Sequence, residues 1–402
     1  MNSPDQDAQD RSEELRLSLL MAAVYAVVGV QLPFFPLWLH SRGLGPAEIG
    51  AVMGAPPAFR TISTLVASRR ADRTGRHAPM LIAFLAAEGL AYALLALLDG
   101  FLPILAGALL LALAQGPLYA LGDGIILGAA HRRSSAGRAQ LHYSFVRGWG
   151  SVSILVCMLA SGPLASAIPN AALAWLLAAI AFASAATAFL ALRGLGGGRK
   201  RERPETPPEK LARPLLVVTI IVATAMIQSS HAMVNSFGSL HWKACGHSEA
   251  FVSLAWSTAL VTEAGFFLMA GRWFGGESRA LSFLLAGGVA ALLRWLAMAS
   301  DPSAFGVIAA QALHGISCAA VQLGPAYLLA SLCGAGRFAQ AQGWLGAANA
   351  AATSLVTFSS GLLYERFGEL GYLGMAALAT AGFMLAAAAG LALRVRPREA
   401  AA

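Results

Sequence analysis

Apolar residues in this chain run in continuous blocks of about twenty, separated by short polar bursts, with neither strict alternation nor a lone stripe every third or fourth residue. A bilayer core about 30 Å thick needs roughly 20 helical residues to cross it. The pattern therefore predicts membrane-spanning helices. We read twelve, over residues 17–39, 47–67, 79–98, 102–129, 141–165, 171–192, 215–242, 250–271, 281–299, 303–332, 339–363 and 372–393. Little sequence remains between them, so the connections are short and no soluble catalytic domain fits. The first block is too long for a signal-peptide core and runs into Pro33, Pro36 and Trp38, so it is expected to stay as the first span.

Composition agrees with this reading. Of 402 residues, 57% are hydrophobic and 12% charged, about half the roughly 25% charge of a soluble domain; the mean hydropathy is +0.64. Basic residues accumulate in short loops on the cytoplasmic side. Placing the N-terminus inside puts 22 of the 28 Lys and Arg in inner loops and tails. Only Arg42, Lys243 and Arg366 fall outside, while Arg60, Arg147 and Arg294 lie within spans. Both termini are thus expected in the cytoplasm, with the chain multi-pass in a bacterial inner membrane. The net charge of +8 then reflects topology, and nucleic-acid binding is not expected. Cys157, Cys318 and Cys333 sit in or at the ends of spans and Cys245 is alone in an outer loop, so no structural disulfide is expected.

One long break interrupts the pattern. Residues 193–213 carry Gly, Pro and charges in linker proportions and divide the chain into two six-span halves, 1–192 and 214–402. A weak internal similarity links the halves. A shift of 203 places Arg60 on Glu263, and a shift of 199 places Gln115-Gly116 on His314-Gly315 and Asp123 on Gln322. In-phase polar positions of this kind are what a duplicated helical unit predicts.

A charge near mid-membrane costs roughly 2.5–3.5 kcal/mol by insertion scales, so each one is paired or used. Six stand out: Arg60, Glu88, Asp123, Arg147, Glu263 and Arg294. Asp123 and Arg147 lie at similar depths on adjacent spans and are expected to pair, either permanently or in only one conformation. Glu88, on the third span, is read chiefly as facing a neighbouring helix. Two neutral stripes at helical spacing accompany these charges: Gln228, His231 and Asn235, and Gln311, His314, Cys318 and Gln322. Such stripes either glue helices together or line a cavity.

The loop after the second span reads Ser68-Arg69-Arg70-Ala71-Asp72-Arg73-Thr74-Gly75-Arg76. It resembles the Gly-x-x-x-Asp-Arg-x-Gly-Arg signature of the major facilitator superfamily, with Ser68 in place of the first Gly. The resemblance implies an all-α membrane protein of two pseudo-symmetric six-helix bundles, with Asp72, Arg73, Gly75 and Arg76 forming a conformational latch. Local sequences are closer still to the phenylpropionate-type transporters of that superfamily, with lactose-permease-like symporters one step further away. They are Tyr25 with Gln31-Leu32-Pro33-Phe34-Phe35-Pro36-Leu37-Trp38-Leu39, Arg147-Gly148-Trp149-Gly150-Ser151, Glu263, and Leu313-His314-Gly315.

This resemblance implies a secondary transporter for a small organic solute, an aromatic carboxylic acid in the nearest group, driven by proton symport. It implies a central cavity lined by spans seven and ten. Solute contacts fall to Tyr25, Arg60, Asp123, Arg147, Gln228, His231, Asn235 and Gln311, and proton coupling to Glu263, Arg294, His314 and Asp123. Two departures bear on the substrate. Ser317 stands where the permease group carries its proton-bearing glutamate, and Ile154 where it carries a sugar-stacking tryptophan. A sugar or nucleoside symporter, a drug/proton antiporter and a non-transporting sensor remain alternatives. No HExxH, P-loop or GxSxG motif is present, so neither enzyme activity, a cofactor nor a metal is expected. A monomer binding solute, proton and lipid is the expected working form.

Overall fold

Apolar runs in lipid give the backbone no water to bond, so each run must satisfy its own N–H and C=O groups as a helix. In the computed structural model, which describes residues 4–193, 213–273 and 279–394, every regular element is helical. The predicted linker, residues 194–212, and part of the loop after Arg272 lie outside the described residues. Two compact units emerge, Met1–Arg203 with Ser248–Ser253, and Pro204–His247 with Leu254–Ala402.

The first unit holds α1 (Pro4–Ser41), α2 (Pro46–Gly54), α3 (Pro56–Thr74), α4 (His77–Leu97), α5 (Phe101–Gln115), α6 (Leu118–Ser135), α7 (Tyr143–Ala167) and α8 (Leu173–Leu192). The second holds α9 (Pro214–Ser229), α10 (Ser239–Ala244), most of α11 (Glu249–Trp273), α12 (Ala280–Ala299), α13 (Ala304–Ala312), α14 (Val321–Phe367) and α15 (Tyr372–Arg394). Among the described residues, ten helical segments are long and apolar enough to cross a membrane, where the sequence suggested twelve.

The differences have local causes. The second stretch is broken at Ala55, because Pro56 and Pro57 open a new helix at the positions where a missing N–H costs nothing. Two shorter helices, α2 and α3, result. Spans eleven and twelve run together as one helical segment, Gln340–Leu393, and the connection expected before span eleven is itself helical, which makes α14 47 residues long. Its end is marked by the 3-10 turn Gly368–Gly371 before α15. Finally, α1 starts well before its apolar block and carries Asp10 and Glu13 to Arg133, whose Nε lies 2.9 Å from Glu13. Arg138 pairs with the same Asp10.

The packing inside the two units follows one plan. Helix α1 packs on α7 and α8, and α4 on α8; in the second unit α9 packs on α14 and α15, and α12 on α15. Leu17, Leu20, Leu81, Leu85, Leu121 and Ala188 form the apolar core of the first unit. Outward-facing helix positions stay apolar as well, as with Leu102 at 70% and Leu268 at 82% exposure. A water-facing surface would not carry them in such numbers. In lipid the solvent is as apolar as leucine, so close packing and polar contacts hold helices together. Buried polar groups therefore bear most of the specificity.

Candidate functional site

In the second unit three helices bring one cation, one imidazole and one acid into a line. Arg294 on α12 is fully buried, and its Nη1 lies 2.8 Å from His314 Nδ1. The other face of the ring puts Nε2 3.5 Å from Glu263 Oε2 on α11. Arginine has only donors, so His314 Nδ1 must present its lone pair and the ring proton sits on Nε2, facing Glu263. Arg294 also donates to Gln311 Oε1, and Gln311 donates in turn to the Ala255 carbonyl at 3.3 Å. Glu263 Oε1 accepts from Gln322 at 3.0 Å and from Cys318 Sγ at 3.6 Å. His231 Nε2 lies 3.1 Å from Ser317 Oγ, and its ring meets that of Trp295 edge-on at 5.0 Å.

Both polar stripes of this unit sit where the helix is irregular. Between α9 and α10 the chain forms a π-helical turn at Val234–Gly238, and between α13 and α14 another at Gly315–Ala320. Single π turns inside helices widen the local pitch and are frequent at functional sites. Here the widening at Gly315–Ala320 brings Ser317 into the same group as His314, Cys318 and Gln322. On the other stripe, His231 is buried, whereas Gln228 and Asn235 are half-buried and their side chains have no hydrogen-bond partner among the described residues.

The first unit carries a corresponding chain. Arg60 on α3 donates to Gln115 Oε1, and Gln115 Nε2 lies 2.8 Å from Glu88 Oε1 on α4. The donation from Arg60 fixes which end of the amide is oxygen. The same amide nitrogen reaches Tyr92 OH and Gln31 Oε1, each at 3.0 Å. Glu88 is 2% exposed, and its Oε2 has no partner among the described residues.

The two chains use equivalent places. Arg60, Glu88 and Gln115 follow one another through α3, α4 and the end of α5; Glu263, Arg294 and His314 do so through α11, α12 and the turn just past α13. In each, a glycine after the middle residue lets two backbones touch. A Cβ on Gly116 would lie 2.5 Å from the Arg60 carbonyl, and one on Gly315 would collide with the Thr262 carbonyl.

A second group in the first unit is more open. Arg147 Nε lies 3.8 Å from Asp123 Oδ1, with both side chains about one-third exposed. Tyr143 OH donates to the same oxygen at 3.1 Å. The Arg147 guanidinium stacks over Tyr25 at 4.1 Å, and Tyr25 stacks on Tyr119 at 4.5 Å. In the loop after α3, Gly75 takes a left-handed conformation, φ 68°, that ends the helix. Asp72 pairs with His77 at 3.1 Å, and Arg73 and Arg76 are exposed.

Glu263, His314 and Cys318 offer metal-ligand atoms within 4.8 Å of one another. The Arg294 cation on the far nitrogen of the same ring opposes a second positive charge there. The chemistry this group suits is therefore proton movement. A proton added at Glu263 Oε2 turns that acceptor into a donor. If that hydroxyl donates to His314 Nε2, the ring proton must move to Nδ1, where Arg294 already donates, so the geometry links a proton at one end to the cation at the other.

The MFS_1 like family profile matches residues 15–371, most of the chain. The chain belongs to that family. It is a membrane transporter of the major facilitator superfamily, and its relatives are transporters rather than enzymes. The transporter is 25% identical over 300 residues to the probable 3-phenylpropionic acid transporter of Escherichia coli (strain K12), covering 71% of this chain and 74% of that protein. It is 26% identical over 297 residues to the maltose permease of Geobacillus stearothermophilus, covering 73% of each. Its fold matches a crystal structure of the nucleoside transporter NupG with a TM-score of 0.81 at 15% identity, over 94% of this chain and 99% of that one. A bacterial homologue of the lysosomal transporter Spinster matches at 0.75 and 13% identity, over 99% and 100%.

Several residues of these groups were not among the sequence candidates. Glu88, read as facing a neighbouring helix, is the acid of a buried chain, and Gln31, Tyr92, Gln115, Tyr119 and Ser317 join the clusters. Gln115 carried a signal in the sequence, its alignment with His314. His231 and Gln311, read as cavity lining, are buried around Arg294.

Proposed function

We propose that the transporter imports a small organic acid, an aromatic carboxylic acid in the simplest case, together with a proton, by alternating access. The hydrogen-bonded chain Glu263–His314–Arg294 carries this reading. It joins an acid that takes a proton to a cation that responds, through a ring whose two nitrogens cannot both donate without displacing one neighbour. Glu263 is the proton carrier, His314 the relay and Arg294 the responding group, with Asp123 second in line as an acid. One charge moving through 100 mV is worth about 2.3 kcal/mol, enough for roughly fifty-fold accumulation.

The solute contacts in this reading are Arg147, Asp123 and Tyr25 together with Arg60 in the first unit, and Gln228 and Asn235 are the second unit's own candidates. A partly exposed guanidinium beside two stacked tyrosines suits an anion with an aromatic ring, and the relative named for 3-phenylpropionic acid points the same way. His231 and Gln311 hold Arg294 in place. Twelve spans as two six-helix bundles, 1–192 and 214–402, joined by 193–213, with both termini in the cytoplasm of a bacterial inner membrane, complete the account. Asp72, Arg73, Gly75 and Arg76 act as the latch, and the protein works as a monomer.

A sugar is the second reading, favoured by the relative named maltose permease and disfavoured by Ile154 at the stacking position. Counterflow in proteoliposomes against aromatic acids, maltose and nucleosides decides between them. We expect exchange of the aromatic acids. Exchange of maltose alone would overturn the substrate class, and exchange of none of them, with movement of an exported drug, would overturn import.

A further inference from the structure

Cys245, which the sequence left alone in a loop, has close company. It lies one turn after His241 at the end of α10, and its Sγ is 3.6 Å from His241 Nε2 and 3.5 Å from Asp301 Oδ1. The third edge, His241 Nε2 to Asp301 Oδ1, is 3.1 Å. All three residues belong to the second unit, at the end that the Lys and Arg count assigns to the outside.

These distances are those of one face of a tetrahedron around a metal. Zinc bonds of about 2.3 Å to sulfur and about 2.0–2.1 Å to nitrogen or oxygen, set at tetrahedral angles, separate sulfur from each lighter ligand by about 3.6 Å and nitrogen from oxygen by about 3.3 Å. The site also has the support that metal-bound histidines use. Tyr364 OH lies 3.3 Å from His241 Nδ1 and is itself stacked on Phe237 at 4.8 Å, so the ring is oriented from behind. Asp301 adopts φ 47°, the one positive φ among the described non-glycine residues, a conformation that costs of order 1 kcal/mol and is commonest at functional positions. Access is open on one side, since Asp301 is 56% exposed and Cys245 is exposed. The other trio, Glu263, His314 and Cys318, differs in that Arg294 already holds the far nitrogen of the imidazole.

We propose that His241, Cys245 and Asp301 form a three-ligand site for a thiophilic divalent cation of the zinc class, with water in the fourth position. Without metal, partial burial first and the Asp301 carboxylate second hold the Cys245 thiol above its usual range, while the His241 hydrogen bond holds Asp301 below its own. Binding therefore displaces the thiol proton to solvent and replaces the His241–Asp301 hydrogen bond with two metal bonds. The ion ties the end of α10 to the turn between α12 and α13.

Cobalt(II) titration of the full-length protein in detergent, under a non-thiol reductant, tests this. We expect a thiolate-to-cobalt charge-transfer band saturating at one equivalent and displaced by Zn²⁺, which binds such sites more tightly than Co²⁺. Cys245→Ser should abolish the band, Cys318→Ala should keep it, and Tyr364→Phe should weaken binding about tenfold. No band in the parent protein, or a band that survives Cys245→Ser and disappears in Cys318→Ala, would overturn the assignment. Because Cys245 is exposed and its variant replaces one atom, gel filtration and circular dichroism suffice to show that loss of the band is not loss of fold.

Discussion

Between the cation and the acid of the first unit stands an amide, Gln115; between those of the second stands an imidazole, His314. The end stations are reversed as well. Arginine occupies α3 and glutamate α4 in the first unit, whereas glutamate occupies α11 and arginine α12 in the second. The backbone plan is shared down to the glycine after the middle residue. What differs is whether the middle residue can change its hydrogen-bonding pattern. An amide has a fixed donor end and acceptor end, so Gln115 holds Arg60 and Glu88 as a strut. An imidazole exchanges the two ends by moving one proton. The same architecture is thus rigid in one unit and responsive in the other.

The most severe way to break this comparison is Arg294→Lys. The charge survives, but a single ammonium cannot keep the fork that meets both Gln311 and His314. Hydrogen bonds to charged groups are worth about 1.5–3 kcal/mol, so proton-driven uptake should fall roughly ten- to hundredfold, measured as initial rate in proteoliposomes. Arg60→Lys in the strut should leave the dependence of uptake on the pH gradient intact.

Next in size are the two glycines. Gly116→Ala and Gly315→Ala each force a methyl group against a carbonyl and should each cost about 1–3 kcal/mol, read as thermal unfolding in detergent. Gly265→Ala, whose Cβ meets nothing within 4 Å, is the control that should not destabilise. A penalty at only one of the two sites would mean that the units do not share the close approach. The smallest effect is expected from Tyr143→Phe, which removes one hydrogen bond to Asp123. About 0.5–1.5 kcal/mol corresponds to at most about a tenfold rise in KM with the uptake maximum unchanged.

Much of this arrangement is legible in the chain. Block length alone marks the helices, and the depth argument for Asp123 and Arg147 matches two side chains found 3.8 Å apart. The alignment of Gln115-Gly116 with His314-Gly315 points to both middle stations before any coordinates. Glu88 was read as facing a neighbouring helix, and it does bond Gln115 on α5; the wider chain through Gln31 on α1 was hidden because these residues share no local spacing. The company of Cys245 was hidden for the same reason, since Asp301 is 56 residues away in sequence. The π turns were also invisible, because a widened helix follows from packing at Gly315 and from no residue pattern of its own. Span two was read as one continuous helix although Pro56-Pro57, where α2 gives way to α3, lay in plain view; apolar content outweighed the break.

The central claim is that the second unit's chain handles the proton while the first unit's chain does not. Substrate-induced proton uptake into proteoliposomes, followed with a pH dye in the parent protein, Glu263→Gln and Glu88→Gln, tests it directly. The account predicts that Glu263→Gln exchanges solute without moving protons and that Glu88→Gln moves both as the parent does. Proton uptake that persists in Glu263→Gln, or that is lost in Glu88→Gln while exchange continues, would contradict it.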